Sequence, residues 1–143
     1  MLTSATLTSL GRFDFFLHEV GLADDPDVTT LEVASPFDFA KQGTLGLPAM
    51  QNDPKAVQAF TAEMVQALLA DIAQVERGAL VLFTSRDQMR QAVDALTEDL
   101  RERVLVQNEL PRTRLLQTHQ DRVAQGLPSV LFGLQSFGEG LDL

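Results

Sequence analysis

An α/β fold built on a mostly parallel sheet is predicted by three features of this sequence. From residue 79 onward, short apolar runs alternate with stretches of helical periodicity. Strands joined through helices in this way run parallel, because the crossover carries the chain back over the sheet. The runs Ala79–Thr84, Val104–Gln107 and Val130–Leu134 are short, apolar and bounded by turn residues, the pattern of buried strands. With 143 residues, of which 45% are apolar, the chain is long enough to bury one sizeable core.

The elements follow in order. Leu10, Phe13, Phe16, Leu17 and Val20 recur at helical spacing, predicting a helix over residues 9–21 that ends near Gly21. Ala23-Asp-Asp-Pro-Asp27 is a turn; it lacks the glycine and distal glutamate of a calcium loop. A strand is expected around Thr29–Ala34, broken by Ser35-Pro36-Phe37, and another short one at Thr44–Leu47. Asp53-Pro54 predicts a helix start, since aspartate caps well and proline is tolerated at the first position. Val57, Phe60, Met64, Leu68, Ile72 and Val75 then line one face, and Gly78 ends the helix. A helix over 87–101 follows the first buried strand, carrying Met89, Val93, Leu96 and Leu100 inward. Asp94, Glu98, Asp99 and Glu102 form its solvent side. A helix over 112–125 precedes the last strand.

Composition removes several function classes. No cysteine is present, so the chain holds no disulfide, thiolate metal site or iron–sulfur cluster. No apolar stretch approaches the ~18–20 residues of a membrane span, and no signal peptide opens the chain. A cytoplasmic location and no membrane partner are the expectations. Net charge is −9: residues 1–77 carry four Lys/Arg against eleven Asp/Glu, and residues 78–143 seven arginines against nine acids. Because nucleic-acid affinity comes largely from neutralising phosphates, any such contact must be local. The two histidines, His18 and His119, lie too far apart to suggest a metal site. His18 is expected to be partly buried on an apolar helix face. His119 is expected on a solvated face, with a nucleic-acid contact as the lesser alternative.

In parallel sheets ligands bind beyond the carboxyl ends of strands. Two such loops carry chemistry. Leu82-Phe83-Thr84-Ser85-Arg86 places two hydroxyls and an arginine where a buried strand turns into a helix. Alone it fits two readings: Ser85 capping the helix, the commoner case, or an anion site at the helix N-terminus. Ser136-Phe137-Gly138-Glu139-Gly140-Leu141-Asp142 gathers two glycines, a hydroxyl and two carboxylates after the last strand. Glycine permits backbone N–H groups to approach a phosphate or sugar closely.

The second loop resembles motif V of superfamily 2 helicases, and most closely the DinG-type relatives of the XPD helicases. Thr3-Ser4-Ala5-Thr6-Leu7 resembles motif III, Ser35-Pro36-Phe37 is frequent at this point in DinG-type sequences, and Leu82–Arg86 is similar to motif IV. The four segments stand in the family's order across essentially the whole chain.

The resemblance implies a single RecA-like domain fragment over residues 1–143, an incomplete second helicase lobe of a parent ATP-dependent, 5′-to-3′ DNA helicase. It implies DNA binding by Thr84, Ser85, Arg86 and Ser136, nucleotide binding by Glu139, Gly140 and Asp142, and coupling through Thr3 and Ser4. Its partners would be single-stranded DNA and the first helicase lobe of the same chain. ATP and Mg²⁺ would serve the intact parent, whose work would lie in DNA repair; this fragment alone would hold neither. A phosphate-binding Gly-Lys-Ser/Thr loop does not occur, so the fragment by itself is expected to lack ATPase activity. The family's lobe continues past motif V, so an uncovered strand edge here would favour self-association. The alternative is a self-contained α/β module for protein interaction or ligand binding, with no motor activity.

Overall fold

The computed structural model describes residues 1–4 and 6–138, and the chain divides into two compact units, Met1–Gly46 and Leu47–Leu143. The first unit contains two short helices, α1 (Asp14–Glu19) and α2 (Phe39–Gln42). The expected helix over 9–21 is reduced to α1. Ser9 and Arg12 pair through both backbone groups, at 2.9 and 3.0 Å, and Leu10 takes a positive φ of 52°, so helical geometry cannot begin before this turn closes. His18, expected to be partly buried, is exposed in the last turn of α1, because so short a helix has no face to pack it.

Neither strand expected in this unit forms among the described residues. Leu31 and Val33 are each 80% exposed, and Leu45 is 85% exposed. β propensity alone does not hold a strand without a neighbour to take its backbone hydrogen bonds. Ser35 accepts from the Phe37 amide at 3.2 Å, making the predicted break a local hydroxyl-backed turn.

The second unit is the predicted parallel α/β fold. Its elements are α3 (Val57–Ala73), β1 (Gly78–Phe83), α4 (Arg86–Asp94), α5 (Glu98–Arg103), β2 (Val104–Val106), α6 (Arg112–Ala124) and β3 (Ser129–Leu134), closed by a 3-10 turn over Gln135–Gly138. The described strands lie in the order β1-β3-β2, all parallel. β3 is central and is buried from Ser129 to Gly133, as its apolar run requires.

Alternation along the strands sorts the core into two layers. Val130 and Phe132 of β3, with Val104 and Val106 of β2 and Phe83 of β1, face Val65 and Ile72 of α3 and Ala92 of α4. Leu131 and Leu105 point the other way, against Leu115 of α6 and Phe137 of the closing turn. Phe83 and Phe132 meet edge to face with centroids 5.0 Å apart, fixing β1 against β3 in the first layer.

Two helices differ from expectation. Asp53 does not cap α3: its carboxylate accepts from Lys55 N at 2.8 Å and its carbonyl from Ala56 N at 2.8 Å, closing a separate turn before the helix begins at Val57. The helix expected over 87–101 breaks at Ala95–Thr97 into α4 and α5. α5 has its own polarity, with Glu98 and Asp99 in the first turn and Arg101 and Arg103 in the last, which suits an independent helix dipole. The four acids predicted for the solvent side are exposed in both pieces.

Candidate nucleic-acid interface

Register builds the site. Phe83, the last residue of β1, pairs with Leu134, the last residue of β3. The segments that follow therefore leave the sheet side by side at one level, at the carboxyl rim where open parallel sheets bind ligands. Between them lies a groove of about 410 Å³ lined by Phe83, Thr84, Arg86, Leu134, Gln135 and Ser136.

On the β1 side, Ser85 adopts extended backbone, and its Oγ accepts from Gln88 N at 3.1 Å. It caps α4, so the capping reading of Ser85 holds. Thr84 Oγ1 donates to Gln88 Oε1 at 2.9 Å, leaving its oxygen lone pairs toward other donors. Arg86 opens α4, is exposed, and makes no ion pair among the described residues. The next residue, Asp87, opposes an incoming anion but is itself engaged by Arg90 and by Gln91, whose Nε2 donates to it at 2.7 Å.

On the β3 side, Ser136 is exposed in the 3-10 turn while its neighbour Phe137 is buried. Gln107, just past β2, donates its amide N–H to Phe132 O and accepts from Leu134 N on its side-chain Oε1, both at 2.8 Å. The side-chain amide thus ties down the point where the chain leaves β3.

Most other arginines of this unit have structural employment. Arg101 donates to Val104 O at 3.0 Å and pairs with Glu109 at 2.7 Å; Arg122 donates to Glu102 O at 3.0 Å; Arg112 lies 5.1 Å from the centre of the Phe137 ring. Arg86 is the cation among the groove-lining residues. The groove thus offers one guanidinium and two hydroxyls, groups that recognise a phosphodiester by hydrogen bonding without reading base identity.

Thr84, Arg86 and Ser136 therefore converge, although 50 or more positions separate the first and last of them in the sequence. Ser85 stands beside them with its side chain committed to the cap. Glu139, Gly140 and Asp142 lie outside the described residues. Thr3 and Ser4 belong to the first unit, where Ser4 Oγ accepts from Thr6 N at 3.2 Å in a local turn. Among the described residues no cluster of three or more His, Cys, Asp or Glu is arranged to hold a metal, and no helix is long and apolar enough to cross a membrane.

His119, expected on a solvated face, is instead buried, with Nδ1 2.8 Å from the Oγ of fully buried Ser129 at the opposite end of β3. Burial, and then the Arg122 charge, hold its pKa below 6.5. This pair is structural and remote from the groove. Glu63 has its pKa lowered chiefly by accepting backbone N–H groups of Gln51 and Asn52, which tether the segment before α3. Gln107 and Gly133 were not singled out by sequence reasoning. The legible signal for the latter was a glycine inside an otherwise apolar buried strand, which marks close approach of another group.

The class of protein defined by this fold and site is an α/β lobe with a polar groove at the ends of adjacent parallel strands. Residues 68–143 match the helicase C-terminal domain family. Over its whole length the chain is 38% identical to the ATP-dependent DNA helicase DinG of Photobacterium profundum and 40% identical to that of Escherichia coli (strain K12), covering 21% and 20% of those proteins. The chain belongs to the helicase C-terminal domain family. It spans about a fifth of the length of the curated relatives it matches.

Proposed function

We propose that this chain forms part of the second, RecA-like lobe of a DinG-type ATP-dependent DNA helicase, and that its groove holds the sugar–phosphate backbone of single-stranded DNA. The observation that carries this reading is the convergence of Thr84, Arg86 and Ser136 on one groove at the carboxyl rim, in a chain of the helicase C-terminal domain family. Arg86 supplies a charge-assisted hydrogen bond to a phosphate oxygen. Ser136 donates from the opposite wall, and Thr84 joins when its proton turns from Gln88 to the strand. Such contacts are indifferent to sequence, as tracking along DNA requires.

In the parent protein, ATP with Mg²⁺ binds between this lobe and the first, to which Glu139, Gly140 and Asp142 contribute, and Thr3 and Ser4 relay nucleotide state. Lobe closure and opening then tighten and release the groove's grip, moving the strand in the 5′-to-3′ sense. The cell location fitting this work is the cytoplasm.

The test is a salt titration of single-strand affinity in the full-length parent. Arg86→Gln should reduce the slope of log affinity against log salt by about 0.7, the value for one phosphate contact on a single strand. The double variant T84A/S136A should weaken binding with the slope unchanged. Affinity and slope that match wild type in both variants would overturn the assignment.

A further inference from the structure

The usefulness of Ser136 depends on where the 3-10 turn is held, and that turn contains a single buried side chain, Phe137, 3% exposed. We propose that Phe137, keyed into the notch left by Gly133, is the positioning residue of the groove: it sets the distance between Ser136 and the Thr84–Arg86 wall. This inference rests on the nucleic-acid reading above and deepens it.

The geometry is tight on every side. A Cβ placed on Gly133 would lie 2.6 Å from Phe137 Cδ1, 2.7 Å from Cγ and 2.8 Å from Cβ. Those atoms include the root of the side chain, so rotating the ring away would not relieve the contact; the turn itself would have to move. Gly133 is therefore glycine because the turn folds back onto the strand that precedes it. Beneath the ring, Leu105, Leu131 and Leu115 form an apolar floor drawn from β2, β3 and α6.

Above it, the Arg112 guanidinium lies 5.1 Å from the ring centre. The next residue is held as closely: a Cβ on Gly138 would stand 2.9 Å from Leu82 Cδ1, so the turn also rests on β1. Together with the Gln107 hydrogen bond to Leu134 N, these contacts restrain both ends of the four-residue turn. Ser136, exposed between Leu134 and Phe137, inherits its position from them. Leu82, Leu134 and Phe137 are apolar and act through placement, with no hydrogen bond of their own to offer a phosphate.

The experiment compares G133A, F137A, F137L, the double variant G133A/F137A and the groove variant T84A/S136A in the full-length helicase proposed above. The measured quantities are kcat and the half-saturating single-strand concentration for DNA-stimulated ATP turnover, below the unfolding temperature of each variant. A misplacement of about 1 Å costs up to ~100-fold in a positioned site, so G133A and F137A should each raise the half-saturating concentration roughly tenfold. The change in kcat should be smaller, since weakened strand binding precedes the chemistry. F137L keeps apolar bulk but not the flat ring and should raise the concentration about threefold, between wild type and F137A. G133A should add less in the F137A background than alone, because the two nearest clashing atoms are then gone.

Should F137A fold poorly, G133A and F137L decide. Half-saturation within about twofold of wild type in both, with T84A/S136A impaired, would overturn the positioning role alone. Wild-type half-saturation in T84A/S136A as well would sink the groove reading itself.

Discussion

The buried His119–Ser129 pair gives the sharpest stability prediction. Ser129 is fully buried at the start of β3, and His119 of α6 is 4% exposed, with 2.8 Å between Nδ1 and Oγ. Ser129→Ala removes the hydroxyl and leaves a ring nitrogen in the interior without its partner. Stranding a buried polar group in this way costs about 1–3 kcal/mol, more than the net value of a hydrogen bond. Removing both partners together is cheaper than the sum, so H119L/S129A should lose less than H119L and S129A added.

The same pair sets a pH dependence. In the unfolded chain the imidazole takes up its proton near pH 6.5; in the folded chain burial and Arg122 delay protonation to lower pH. Between those points the unfolded state binds more protons, so stability falls as pH drops below about 6.5 and is level above it for this group. Urea denaturation of wild type, S129A, H119L and the double variant at pH 8, 6.5 and 5.5 reads both effects. The wild type should lose stability relative to H119L as the pH falls. A wild type that gains on H119L at pH 5.5, or an S129A within ~0.5 kcal/mol of wild type, would refute the argument.

Other consequences follow from single contacts. Ser85→Ala should destabilise by about 1 kcal/mol in urea melts, because the Gln88 amide loses its cap. Leu115→Ala, fully buried between α6 and the sheet, should cost about 2–5 kcal/mol by the same assay. Glu63→Gln should speed amide exchange at Gln51 and Asn52, whose N–H groups donate to its carboxylate. In wild type the protection of these two amides, relative to the intrinsic exchange rate at each pH, should be lost as pH falls below 4.5 through the depressed Glu63 pKa, since the tether needs the ionised form.

The parallel α/β half was legible because its signals are local and mutually consistent. Three apolar runs fixed the strands to within a residue or so, and the helix over 112–125 appears as α6, ending one residue earlier. The first unit was misread because Leu31, Val33 and Leu45 satisfy β propensity while nothing in the sequence says whether a partner strand exists. His119 was misplaced for a related reason. Nothing local shows which side of α6 meets the sheet; Arg122 reaches sideways to the Glu102 carbonyl, and the imidazole faces Ser129 and Gly78. At the groove, residue types were readable and arrangement was not. Thr84, Arg86 and Ser136 meet because Phe83 and Leu134 are in register, and strand order decides that.

The groove also predicts its own weakness in isolation. Net hydrogen bonds contribute about 0.5–1.5 kcal/mol each, and those to charged groups about 1.5–3. One guanidinium and two hydroxyls on charged phosphates thus supply roughly 4–9 kcal/mol at most, before the association cost of about 4 kcal/mol or more. What remains, about 5 kcal/mol at most, corresponds to a dissociation constant of about 0.2 mM or weaker. The charge of −9 acts in the same direction, repelling a polyanion at long range. Under the function proposed above, tight binding would come from joining this groove to a second contact surface at high effective concentration, and moving one lobe would release the grip. Fluorescence anisotropy of a labelled single strand, titrated with this chain alone at ~0.15 M salt, should show no saturation below about 0.1 mM. Micromolar binding would mean that the lobe holds DNA by contacts other than those lining the groove, and the grip-and-release account would fail.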